Sequence, residues 1–180
     1  MEFSMKKLLL FGVFAGLLTF LNTGGAAMAL ELKSTSFENN SVIPAEFTCE
    51  GKDVSPDLQW SDAPDDTKSF ALICDDPDAY GVAWVHWVIY NIAADKNSLP
   101  KGVQQGQSLP DGSNQGINDS QEYGYGGPCP PPGKPHRYVF KLYALDDTLL
   151  IGEKVTKDKL LNAIKSHVLA EAQLIGTYKR

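Results

Sequence analysis

Asp76, His86, His136 and Tyr138 are the residues of this chain whose types and positions could together handle an anion. Three runs rich in β-branched and aromatic residues carry them: SFALICD (69–75), VAWVHWVIYNI (82–92) and HRYVFKLYAL (136–145). Such runs read as strands, and side chains alternate faces along a strand. Alternation puts Phe70, Leu72, Cys74 and Asp76 on one face of the first run. It groups Trp84, His86, Val88 and Tyr90 in the second. In the third it groups His136, Tyr138, Phe140, Leu142 and Ala144, with Arg137, Lys141 and Tyr143 opposite. Each apolar face therefore carries a polar group near its end. A buried carboxylate needs a donor, and an imidazole beside Asp76 would supply one. The carboxylate in turn raises a histidine's affinity for a proton, and an imidazolium attracts anions. Tyr138 adds a neutral hydroxyl donor. Taken singly, each feature has a plainer reading. A histidine on an apolar strand face is more often a satisfied core residue. Asp76-Pro77-Asp78 alone is most often a turn in which Asp78 caps local N–H groups.

Directly before His136 stands GPCPPPGKP (127–135). Its glycines, with those from Gly124 onward, would let backbone amides approach a ligand. Its prolines donate no N–H and would wall a site. Turn signals recur along the chain at Asn39-Asn40, Asp62-Ala63-Pro64, Asp76-Pro77-Asp78 and Pro110-Asp111-Gly112. Short strands between frequent turns make this mainly β, a sandwich rather than alternating βαβ units. Residues 93–135 form a long polar stretch, a length that signals function or disorder. One helix is expected at the C-terminal end. Thr156 would cap it, with Leu160, Ile164 and Val168 at helical spacing and Leu161 and Leu169 beside them.

The chain has 180 residues, enough for one domain with a real core. Lys6 and Lys7 precede an apolar run, Leu8 to Leu21, and small residues end in Ala27-Met28-Ala29. This is the pattern of a bacterial secretory signal peptide, residues 1–29, cleaved after Ala29, with Met1 or Met5 as the start. A retained membrane anchor is the rival reading, although the run is short for the roughly 20 residues of a span. Residues 30–180 would then be a single periplasmic or secreted domain, with no further span. A net charge of −6 argues against nucleic acid and against electrostatic docking on anionic lipid. Cys74, inside an apolar strand, reads as an inert core thiol. Cys49 and Cys129 lie in loop-like contexts and are the pair a disulfide would join in an oxidising compartment.

DPDAYGVAWVHWVIYNI (76–92) and GPCPPPGKPHRYVFKLYALD (127–146) resemble the two signature blocks of the phosphatidylethanolamine-binding protein family, in its bacterial, Raf-kinase-inhibitor-like branch. FTCEGKDVSPDLQW (47–60), SFALICDDPDA (69–79) and HVLAEAQLIGTY (167–178) support the match. The resemblance implies a Greek-key β-sandwich with a large and a small sheet and a C-terminal helix. It implies a small pocket for phosphate, acetate or a phosphorylated headgroup. Carried over by position, that pocket comprises Asp76, His86, Gly127, Pro128, His136 and Tyr138, with Asp78 shaping the turn. Tyr80 stands where the family usually has a second proline, and Tyr178 is not assigned to the site.

The leading expectation is thus an exported binding protein for a small anionic or phosphorylated ligand, without a cofactor. A protein-interaction module or inhibitor is the alternative, and relatives suggest a homodimer. Kinase inhibition does not transfer, because the motif residues are not a partner surface. A hydrolase ranks lowest, since no G-x-S-x-G, H-E-x-x-H or P-loop occurs. Zinc on His86, His136 and a carboxylate is conceivable, but a tyrosine and a proline wall suit an oxyanion better.

Overall fold

Short alternating runs fold here into two sheets with a shared apolar interior. The computed structural model describes residue 1 and residues 29–180, so the expected leader lies outside the described residues. Strands β1 (Glu31–Lys33), β3 (Leu58–Ser61) and β6 (Ser98–Leu99) form a small sheet in the order β1-β3-β6. The large sheet contains β2 (Ser41–Val42), β4 (Ser69–Asp76), β5 (Trp84–Ala93), β7 (Asn114–Gln115), β8 (His136–Leu145) and β9 (Val168–Tyr178). Its spatial order is β2-β9-β8-β4-β5-β7. Within it β4, β5, β7 and β8 are all antiparallel, and the last returns to lie beside the first. That is a Greek key.

Leu32, Leu58, Trp60 and Leu99 of the small sheet pack on Phe70, Leu72, Cys74, Trp87, Ile89, Phe140 and Leu142 of the large one. On the far face, Ala71, Ile73, Val88, Tyr143 and Leu145 pack on Leu160 and Ile164. These two belong to helix α1 (Lys157–Ile164), whose Thr156 side chain accepts from the Lys159 amide at 3.3 Å. The large sheet is therefore covered on both sides.

Two sequence expectations need correction. The helix stops at Ile164, and Val168 and Leu169 begin β9 instead. Val168 to Leu174 holds good helix formers, but from Ala170 on it also alternates. Ala170, Ala172 and Leu174 face the inter-sheet core, and β9 pairs with β8 from His136↔Tyr178 to Leu145↔Val168. The long ladder overrides local propensity. The second correction concerns β5. Cys74 pairs with Trp87 and Asp75 with Val85, so β5 carries one extra residue at His86. Another extra residue falls near Asn91, whose φ is 55°. A bulge moves the side-chain alternation by one. Val88 and Tyr90 accordingly face the helix side, away from His86.

The stretch 93–135 is well organised. Gln115 accepts from the Trp87 indole at 2.7 Å and donates to the Gln104 and Gly106 carbonyls at 2.9 and 2.8 Å. Buried Asn118 donates to the Gly124 carbonyl at 3.2 Å. Amide side chains thus replace a strand ladder as the source of order.

Leu160→Ala should lower the unfolding free energy by about 3 kcal/mol, because Leu160 is fully buried under the large sheet. Urea denaturation of both proteins checks this. A change below about 1 kcal/mol would mean the helix is not part of the cooperative core.

Candidate functional site

The end of β4 meets the start of β8 at Asp76, which is 4% exposed. Its Oδ2 accepts from His136 Nδ1 at 2.6 Å, and its Oδ1 accepts from the Asp78 amide at 2.8 Å. Asp78 is gripped in turn by Arg137. The Arg137 Nε and Nη2 donate at 2.8 and 2.7 Å, and its amide donates at 2.9 Å. The guanidinium holds the Asp78 carboxyl down at about 2. This fork fastens the β4–β5 turn to β8 from the outside, while Asp76 and His136 fasten it from within.

The bulge in β5 swings His86 to the Asp76 side of the sheet. His86 Nδ1 lies 2.6 Å from the Gly126 carbonyl, an acceptor only, so Nδ1 carries the proton. Neutral His86 then presents an unprotonated Nε2. Burial pushes the His86 pKa below its ordinary value, outweighing the Gly126 carbonyl and the carboxylates of Asp76, Asp119 and Asp53. Its ring meets Tyr138 edge-on, with centroids 5.1 Å apart. The Tyr138 hydroxyl is buried and has no hydrogen-bond partner. Burial, with Asp76 nearby, raises the phenol pKa, so the hydroxyl keeps its proton throughout the ordinary range.

The proline-rich segment forms one wall. Cys129 is joined to Cys49 by a disulfide, and the Cys49 amide donates to the Pro128 carbonyl at 3.2 Å. The Gly127 amide donates to Asp53 Oδ1 at 2.6 Å, and the Gly126 amide to the His86 carbonyl at 2.9 Å. A Cβ on Gly127 would collide with the Phe47 carbonyl and the Asp53 carboxylate. The amides of Gly126 and Gly127, expected as anion donors, are therefore engaged in holding the wall. Their glycine character serves close packing.

These elements enclose a cavity of about 460 Å³. Asp76, His86, Gly127, His136 and Tyr138 line it; Pro128 and Asp78 do not. Pro128 acts through its carbonyl on Cys49, and Asp78 through Arg137. Sequence reasoning missed Asp53, Trp84, Asn118 and Glu122, which also line the cavity. All but Trp84 come from loops, where no periodicity marks a face. The lining contains no lysine or arginine. Among the described residues, no group of three or more His, Cys, Asp or Glu side chains could hold a metal ion. Nor is any described helix long and apolar enough to cross a membrane.

Residues 33–179 match the family model for phosphatidylethanolamine-binding protein. The chain is 50% identical over 151 residues to a UPF0098 protein of Methanothermobacter thermautotrophicus, covering 84% of this chain and 99% of that one. It is 43% identical over 163 residues to a UPF0098 protein of Aquifex aeolicus, covering 88% and 92%. The fold matches a crystal structure described as a phosphatidylethanolamine-binding protein homologue of Chlamydia trachomatis. There the TM-score is 0.77 at 39% identity, over 84% of this chain and 98% of that chain. Escherichia coli YbcL, described as a member of the mammalian PEBP family, matches with a TM-score of 0.79 at 33% identity, over 85% and 99%. This chain belongs to the phosphatidylethanolamine-binding protein family. The part it shares with these relatives is nearly the whole of each of them.

The disulfide closes a loop across a sequence separation of 80. Replacing both cysteines by serine should cost about 4 kcal/mol of stability, read by urea denaturation. A loss under about 1 kcal/mol would show that the wall is held by its hydrogen bonds alone.

Proposed function

We propose that this protein binds a small oxyanion of the phosphate type, free or as a phosphorylated headgroup, between His86, His136 and Tyr138. The observation that carries the proposal is the Tyr138 hydroxyl, buried in the cavity wall without a partner. Leaving such a group unpaired costs about 1–3 kcal/mol, and an anionic oxygen is the acceptor that would relieve it. His86 Nδ1 and His136 Nδ1 are already engaged, which leaves each Nε2 for the ligand.

Charge decides how binding would work. The wall contributes Asp53, Asp76 and Glu122 and no fixed cation, so a bare dianion would be repelled. The compensating charge is a proton. It enters on His86 Nε2, or arrives on the ligand and is shared with that nitrogen. Burial disfavours the proton on His86 in the free protein; a bound anion restores it. Binding and protonation are then linked.

The reading is of binding, and the two cysteines in the wall, joined to each other, offer no thiol nucleophile. The same disulfide supports an exported location in an oxidising compartment.

Two measurements test this. Tyr138→Phe should weaken phosphate binding by roughly tenfold or more, measured by calorimetry, while leaving the free protein no less stable. Unchanged affinity would remove Tyr138 from the site. Sulfate, which does not titrate near neutrality, isolates the protein's own proton. Its affinity should be highest below the depressed pKa of free His86. Above that pKa it should fall by up to about tenfold per pH unit, until the pKa of the complex is passed. A flat profile from about pH 5 to 8 would contradict the proton-linked mechanism.

A further inference from the structure

The turn between β4 and β5 leaves apolar groups in water that the fold could have hidden. Tyr80 is 105% exposed, Val82 78% and Trp84 44%. Scattered exposed apolar residues are ordinary, but these three lie within five positions, on the turn and the first residue of β5. Gly81 forms its free tip, with φ 89° and open space where a Cβ would stand. The base, by contrast, is fastened. Arg137 grips Asp78, and the Val85 amide donates to Asp119 Oδ2 at 2.7 Å. Tyr80 and Trp84 also line the mouth of the anion cavity. A firmly mounted apolar tip thus stands beside the opening of a polar pocket.

We infer that this turn is an interfacial anchor: Tyr80, Val82 and Trp84 enter the surface of a neutral phospholipid bilayer, beside a headgroup taken by the pocket. This rests on the oxyanion reading of that pocket. Three observations select a bilayer over a second copy of this chain. The three side chains offer roughly 400 Å² together, about half of the ~800 Å² per partner that a stable protein interface needs. Tyrosine and tryptophan have the apolar body and polar tip that settle at a membrane–water boundary. The turn lies beside a cavity whose donors suit a phosphate, and lipid headgroups present phosphates at that same depth. Charge selects the kind of bilayer. The chain carries net −6, and the one arginine beside the turn is paired with Asp78. A net negative chain disfavours anionic lipid, so attachment relies on apolar contact and headgroup capture, each modest alone and stronger when linked.

Trp84 reports on the event without labelling, because Trp60 and Trp87 are 5% and 0% exposed. Residues 30–180 contain every described strand and both apolar clusters, and serve as the test protein. With phosphatidylcholine vesicles, its tryptophan emission should shift to the blue and become shielded from acrylamide. Val82→Asp should weaken vesicle binding at least tenfold while leaving free phosphate affinity unchanged, since Val82 does not line the cavity. Phosphatidylglycerol vesicles should bind no better than phosphatidylcholine. Vesicle binding that Val82→Asp does not weaken would overturn the anchor. So would phosphate binding without vesicle binding, or a concentration-dependent dimer that Val82→Asp dissolves. Vesicle binding sensitive to Val82→Asp with no phosphate binding would uphold the anchor and refute the pocket reading alone.

Discussion

Asp76 is a carboxylate 4% exposed at the end of a central strand, and much of this structure answers to that fact. Burying a charge costs several kcal/mol unless donors surround it, and removing one partner of a buried pair costs about 3–5 kcal/mol. The donors here come from two directions. His136 reaches in from the first residue of β8, and the Asp78 amide folds back from the turn. Meeting both demands fixes where β4 ends, how the turn leaves it and where β8 starts. The Arg137 fork on Asp78 repeats the same fastening on the solvent side. One carboxylate therefore positions the mouth of the cavity and the exposed tip beside it.

The polar groups of the cavity divide into those the protein satisfies and those it leaves open. The Gly126 and Gly127 amides, the carbonyl of Gly126 and one nitrogen of each histidine all have protein partners. The Tyr138 hydroxyl has none. Buried polar atoms are nearly always paired, and on the proposed reading this bare hydroxyl in the cavity wall is the donor kept for a ligand. The proposed ligand would meet carboxylates in the wall and no lysine or arginine. On the same proposal the compensating charge is a proton, which burial disfavours on free His86 and a bound anion would restore.

Strand content, the face of β8 and the pairing of Asp76 with an imidazole are legible in the sequence because alternation in 136–145 is clean. The orientation of His86 is half legible. Its presence in the site follows from the family blocks, but simple alternation groups it with Val88 and Tyr90. Only the ladder with β4 reveals the extra residue that separates them. Local propensity extends the helix too far because alanine, leucine and glutamate in β9 suit either state, and a ten-residue partner strand is invisible to it. Asp53 is out of reach for a different reason. It works from a loop, at φ 53°, and its contact with Gly127 crosses 74 positions. Such contacts leave no period in the sequence.

The central claim is that His86 takes up a proton when an anion enters the cavity. Long-range ¹H–¹⁵N NMR of the imidazole rings, recorded near neutral pH with and without saturating phosphate, observes that proton directly. Free His86 should appear as the neutral tautomer with its hydrogen on Nδ1. With phosphate, Nε2 should shift from an unprotonated nitrogen toward a protonated one, while Nδ1 stays bonded to Gly126. Should His86 already be imidazolium in the free protein, or should its Nε2 resonance stay in place when phosphate saturates the site, the account is wrong.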